Sequence, residues 1–259
     1  MTEEPYRWME AIANRREYIE HQLAGGSPIA ALSFRDGVLF FTLGRERQKI
    51  FEIYDRIGLG AIGHPGDIER LRMAAIELAS TEGFTRSAFD VSLRRLATYS
   101  LSPALKAAFE HVYGPPYLAR LLFAELSRGD APNTFVRVEF DGAIRTNGGV
   151  FGRAFEHFGV VAGTDAATQK MEEYLRGRVD PRASLERALS IACDAWALGH
   201  LALSAEQPED EFPPEKIAEH RAEHLGLASI EAGILDRQAK TAVTWRSLPD
   251  ADARTLLGS

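Results

Sequence analysis

Apolar positions recur at helical spacing across residues 5–23, where Trp8, Ile12, Ile19 and Leu23 share one face and Arg15, Arg16, Glu17 and Glu20 hold the other. Pro5 suits the first helical position and Gly25-Gly26 ends the run. The pattern then changes to short apolar runs. Ile29–Phe34 and Val38–Leu43 flank Asp36-Gly37, a hairpin turn signal, and Lys49–Tyr54 and Ile57–Gly63 form a second candidate pair. Beyond Pro65-Gly66 the helical period returns twice. One helix starts at Asp67 with Ile68, Leu71, Ala75, Leu78 and Ala79 on its face and stops at Gly83. A second carries Phe89, Leu93, Leu96, Ala97 and Ala104 and runs to about His111.

Strands are expected again over Tyr117–Glu125, Thr134–Phe140, Ala143–Asn147 and Phe158–Ala162, with Asp141-Gly142 as a turn. Two helices follow. The first starts near Thr164 or Asp165 and ends at Gly177. The other opens with Asp180-Pro181 and carries Leu185, Ala188, Leu189, Ala192, Ala195, Trp196 and Gly199 on one stripe. The acidic, Pro-rich stretch Ala205–Pro214 reads as a surface loop, and Pro214 to His224 as a short, solvated polar helix. Strands over Ala228–Leu235 and Ala242–Ser247 precede a polar tail expected to fray.

Strands in hairpin blocks argue against a doubly wound parallel sheet. Helix pairs with one apolar face each want an outer layer, and strand blocks apolar on both faces want an inner one. The expectation is an α+β, four-layer αββα sandwich. An N-terminal segment and helix occupies residues 1–24, the sandwich 25–248, and the polar tail 249–259.

Composition narrows the function classes. The chain has 259 residues, 45% hydrophobic and 26% charged, with a net charge of −7. This is ordinary for a globular protein and supplies no global basic field for nucleic acid. No apolar run approaches the ~20 residues that span a bilayer, and the acidic Met1–Pro5 start does not read as a secretory signal. The single cysteine, Cys193, precludes an internal disulfide and fits a reducing cytoplasm. Its place among alanines reads as a buried, inert thiol.

Three motifs carry candidate chemistry. Gly58-Leu59-Gly60-Ala61-Ile62-Gly63 matches G-x-G-x-x-G, but it lies on a strand between hairpins and not in a βαβ unit. It therefore reads as a place where backbones pack closely. His220-Arg221-Ala222-Glu223-His224 matches H-x-x-E-H, which puts two imidazoles on one helix face. A zinc hydrolase needs a third ligand, and the remaining histidines are scattered without suggesting a cluster. Gly25-Gly26-Ser27, just before the first strand, is the place where a self-processing hydrolase exposes a nucleophile whose own amine acts as base.

The order of elements, together with Phe34–Phe40, Gln48–Gly58, Pro116–Glu125 and Leu225–Asp236, resembles proteasome core-particle subunits, most closely the bacterial (actinobacterial-like) α-type with its N-terminal-nucleophile hydrolase fold. In that family the β-type is a peptidase with an N-terminal threonine, an aspartate ending the second strand and a lysine opening the third. The α-type keeps the fold without the nucleophile and adds a helix before the first strand. Here Pro28 follows Ser27, the aspartate position falls near Leu43, and only Lys49 matches the set.

The resemblance therefore implies a non-catalytic α-type subunit with no cofactor and no metal. It implies a cytoplasmic homo-heptameric ring that stacks on β-type subunits and docks an AAA-type ATPase activator. Lys49 would line the activator-binding pocket, Met1, Thr2, Glu3 and Glu4 would lie at the gate, and Trp8, Ile12 and Ile19 would form the ring-contact helix. The Tyr-Asp-Arg found near the N-terminus of archaeal and eukaryotic α-type subunits is missing from Met1–Arg7, and Tyr54-Asp55-Arg56 falls in a strand turn instead. The alternative is a self-processing hydrolase that uses Ser27.

Overall fold

A computed structural model describes residues 4–44, 47–129, 131–146, 156–205 and 211–258. Two five-stranded antiparallel sheets form its centre. The first has the order β10 (Trp245–Leu248), β9 (Ser229–Asp236), β2 (Gly37–Gly44), β1 (Ile29–Phe34) and β8 (Phe158–Val161). The second runs β3 (Ile50–Tyr54), β4 (Ile57–Gly63), β5 (Ala119–Glu125), β6 (Thr134–Val138) and β7 (Ile144–Arg145).

Strand alternation assigns the two faces of each sheet. Along β1, Ala30, Leu32 and Phe34 turn to the outer helices, whereas Ile29 and Ala31 turn to the opposite sheet. Along β2, Leu39, Phe41 and Leu43 face out while Val38 and Phe40 face in. In β5, Leu121 and Phe123 meet the second helix layer and Leu122 and Ala124 meet the first sheet. Both faces are covered, so these strands read as unbroken apolar runs.

One outer layer is α2 (Pro65–Thr85) with the segment α3 (Leu93–Leu96), a π-helical stretch (Ala97–Leu101) and α4 (Ser102–Glu110). The other is α5 (Asp165–Leu175) and α6 (Leu185–Leu203), flanked by α7 (Pro214–Leu227) and α8 (Asp250–Leu257). The four-layer αββα sandwich expected from the sequence is therefore the fold. The added helix α1 (Glu4–Leu23) closes one end, where its Ile19 and Leu23 pack on Phe109 and Phe140. Arg15 donates to the carbonyls of Ala108 (2.9 Å) and Gly114 (2.8 Å), satisfying acceptors left open at and beyond the end of α4.

Local differences from the sequence reading have physical causes. Gly83 does not stop α2, because a Cβ there would meet the Tyr54 hydroxyl: the glycine makes room for close packing. The helix expected from Phe89 to about His111 starts instead at Leu93 and runs without interruption to Glu110, its register widened to π over Ala97–Leu101, where Pro103 has no N–H for the carbonyl of Tyr99. Phe89 is left outside that helix, 74% exposed. Asp180 organises a turn by accepting from Arg182 N (2.9 Å), and Ser184 is the cap of α6.

The expected frayed tail is helical instead. In α8, Ala253 is buried, Asp250 Oδ1 accepts from Ile230 N (2.7 Å), and Arg254 donates to the carbonyls of Leu225 (2.6 Å) and Ala228 (2.7 Å). Those carbonyls end α7 and enter β9, so α8 ties the two together.

Candidate functional site

Ser27 and Lys49 both line one open cleft of about 540 Å³, between the approach to β1, the start of β3, the end of β4 and the start of α2. The β1–β2 register, Ala30 opposite Phe41, carries Leu43 alongside Pro28 and Ser27. The neighbour of Ser27 on that strand is thus a buried leucine, with no carboxylate to orient a base. The Ser27 hydroxyl donates to the Leu43 carbonyl (3.1 Å) and accepts from Trp196 Nε1 of α6 (3.2 Å). Its amide follows α1 in a continuous chain, as Gly26 N bonds back to Leu23 O (2.8 Å) and Gly26 O accepts from Gly163 N (3.0 Å). The Ser27 oxygen is thus engaged both as donor and as acceptor.

Lys49 stands just before β3 and is half-buried. Its peptide N–H and that of Ile50 both donate to Glu231 Oε1 on β9, at 2.8 and 2.7 Å, locking the start of β3 to the other sheet. Burial lowers the Lys49 ammonium below the ordinary lysine range, partly offset by the charge of Glu231; burial likewise raises Glu231. Among the described residues no carboxylate lies within ion-pair distance of the Lys49 ammonium. The cleft around it also holds Arg47, the backbone of Gly25 and Gly26, and the apolar Phe51, Ile62 and Ile68. Such a lining suits a group with an apolar stem and one negative end.

A third group lies behind Trp196. The α7 helix packs on α6 through the buried Ile217 and Leu225 and through Arg221 on Asp194 (2.7 Å), so it is not the solvated helix expected. This brings His220 and His224 against His200 of α6, with His200 Nδ1 and His220 Nε2 2.9 Å apart. His200 stacks on Trp196, ring centroids 4.8 Å apart. Burial pushes the His200 imidazole down to about 4, helped by His224, His220 and Lys49. Cys193, one turn before Trp196 on the buried side, is pushed up to about 12 by burial and is inert, as the sequence implied.

Over 253 residues the chain is 32% identical to a proteasome subunit alpha of Mycobacterium marinum, covering 96% of this chain and 84% of that relative. The chain belongs to the proteasome α-subunit family. It is also 31% identical over 232 residues to a proteasome subunit alpha of Mycobacterium leprae, and 30% identical over 230 residues to one of Streptomyces scabiei. The match covers 88% of this chain in both and 77% and 88% of those relatives. No family model matches the chain.

Of the α1 residues singled out from the sequence, Ile19 is fully buried in the chain's own core, Ile12 packs at its edge, and Trp8 is 51% exposed. The gate positions Met1, Thr2 and Glu3 lie outside the described residues, and Glu4 is the first residue of α1. The glycines of the G-x-G-x-x-G stretch are required by sheet packing: a Cβ on Gly58 would stand 2.7 Å from Phe40, and one on Gly60 2.9 Å from Ile29. The residue that sequence reasoning missed is His200. Its partners are 20 and 24 positions away on another helix, and the only local signal was the pairing of His220 with His224. No helix among the described residues is long and apolar enough to cross a membrane.

Proposed function

We propose that this chain is a non-catalytic α-type subunit of a cytoplasmic proteasome core particle. Seven copies would close a ring through a heterologous interface, stacked on peptidase β-type subunits that supply catalysis. The observation that supports this reading is that Leu43, and no carboxylate, stands beside Ser27 in a fold otherwise kept intact. In the ring, Lys49 would anchor the C-terminal carboxylate of an AAA-type ATPase activator, its cleft completed by the neighbouring subunit. Met1 to Glu4 would lie at the gate. Trp8 and Ile12 remain for contacts between subunits, while Ile19 holds α1 to its own sandwich.

The test is direct. The purified chain should keep its full mass of 28.6 kDa, form seven-fold rings with the β-type partner in negative-stain images, and cleave no peptide alone. Lys49→Ala should leave rings intact but weaken the activator's C-terminal peptide by about 30-fold or more, the lower end of the 2–5 kcal/mol for a stranded buried charge. Wild-type docking in that variant, measured by fluorescence anisotropy, removes Lys49 from the role.

A further inference from the structure

We propose that His200, His220 and His224 form a binding site for a borderline divalent transition metal ion, zinc by the chemistry of the ligands, that staples α7 to α6. The three imidazoles each offer one nitrogen, all lying within 4.8 Å of one another. Tetrahedral zinc with bonds of about 2.0–2.1 Å needs ligand nitrogens about 3.3 Å apart. The His200–His220 pair at 2.9 Å must open slightly, and the widest pair must close by at most about 1.5 Å. Rotation about side-chain torsions covers that range without moving either helix.

Ligand orientation is already set. His224 Nδ1 lies 3.0 Å from the His220 carbonyl, which can only accept, so Nδ1 carries the proton and Nε2 keeps its lone pair. On α7, His220 and His224 are one turn apart and present the same face. His200 is held from below by Trp196, whose indole is itself fixed by Ser27. Three imidazoles without a thiolate or carboxylate suit zinc, copper, nickel or iron and not magnesium or calcium. Three protein ligands leave a fourth position for water. The inference does not depend on ring formation or activator docking.

The test uses the untagged full-length chain stripped with EDTA and dialysed. Titration with zinc chloride by calorimetry should show one equivalent per chain. Cobalt(II) in its place should give the intense visible bands of a four-coordinate site. At a hundredfold excess over Kd, zinc should raise the melting temperature by about 5–10 °C. His220→Gln and His224→Gln should each weaken zinc by about 100-fold or more, beyond the 10–100-fold typical of lost supporting residues, while His111→Gln should not. Less than stoichiometric zinc, pale six-coordinate cobalt spectra, or unchanged affinity in the His220 and His224 variants each overturns the proposal. The cobalt spectrum of the unmutated chain decides even where a variant fails to fold.

Discussion

Ser27→Ala separates a structural hydroxyl from a nucleophile. The substitution removes the acceptor for the indole N–H of Trp196, a residue only 2% exposed, and the donor to the Leu43 carbonyl. Indole N–H can only donate, and leaving such a group buried without a partner costs about 1–3 kcal/mol. Ser27 is itself only part-buried and lines an open cleft, so water reaches the vacated place and the lower half of that range applies, about 1–2 kcal/mol. The Thr42 hydroxyl does not replace the lost donor to the Leu43 carbonyl, because its single proton goes to the Pro28 carbonyl at 2.6 Å. For a chain of this size the melting temperature should fall by about 2–8 °C. The assays are differential scanning fluorimetry, intact mass, and turnover of a fluorogenic peptide before and after the change. The expected result is a modest loss of stability, an unaltered leader segment in both proteins, and no turnover in either. A wild-type chain that begins at Ser27, or that turns over a peptide the variant cannot cleave, would refute the reasoning.

Other outcomes follow from the same geometry. Gly58→Ala places a methyl 2.7 Å from Phe40 and 3.0 Å from Trp245 between the sheets, costing about 1–3 kcal/mol by overpacking; an unchanged urea midpoint would show that the gap tolerates a side chain. Truncation after Pro249 removes the bonds from α8 to Ile230, Leu225 and Ala228, so it should cost on the order of 3 kcal/mol or more in denaturant titration, whereas a frayed tail would cost nothing. A carboxylate docked on Lys49 raises that lysine's pKa, so docking is at full strength below the free-state pKa and is lost as pH rises. Burial holds that pKa below 10.5, and anisotropy titrations should therefore lose affinity at a lower pH than an ordinary lysine would require.

The architecture was legible because it is built from short-range signals. Short unbroken apolar runs in β1, β2 and β5 mark strands covered on both faces, and the two hairpin turns Asp36-Gly37 and Asp141-Gly142 announce antiparallel pairing. Capping chemistry worked where the cap acts locally, as at Thr164, whose hydroxyl accepts from Ala167 N (3.1 Å). It failed where packing overrode it. Gly83 reads as a helix stop until Tyr54 is seen beside it. The tail after Pro249 reads as polar because the partners of Asp250 and Arg254 are backbone groups about 20 to 29 residues away, which no local pattern encodes.

The candidate site divides along the same line. Ser27, Leu43 and Lys49 could be placed because one hairpin and the start of the next strand fix them, and counting within a ladder survives translation into space. The histidines could not, because their meeting depends on α7 crossing α6, and that crossing is made by Ile217, Leu225 and the Arg221–Asp194 pair, none of which advertises a ligand. Trp196 joins the two halves. Its indole nitrogen engages the hydroxyl where a nucleophile would stand, and its ring carries the imidazole that completes the cluster. The Ser27 hydroxyl thus engages a buried donor, and that same side chain, Trp196, stacks on one of the three histidines that among the described residues form the cluster able to take a metal.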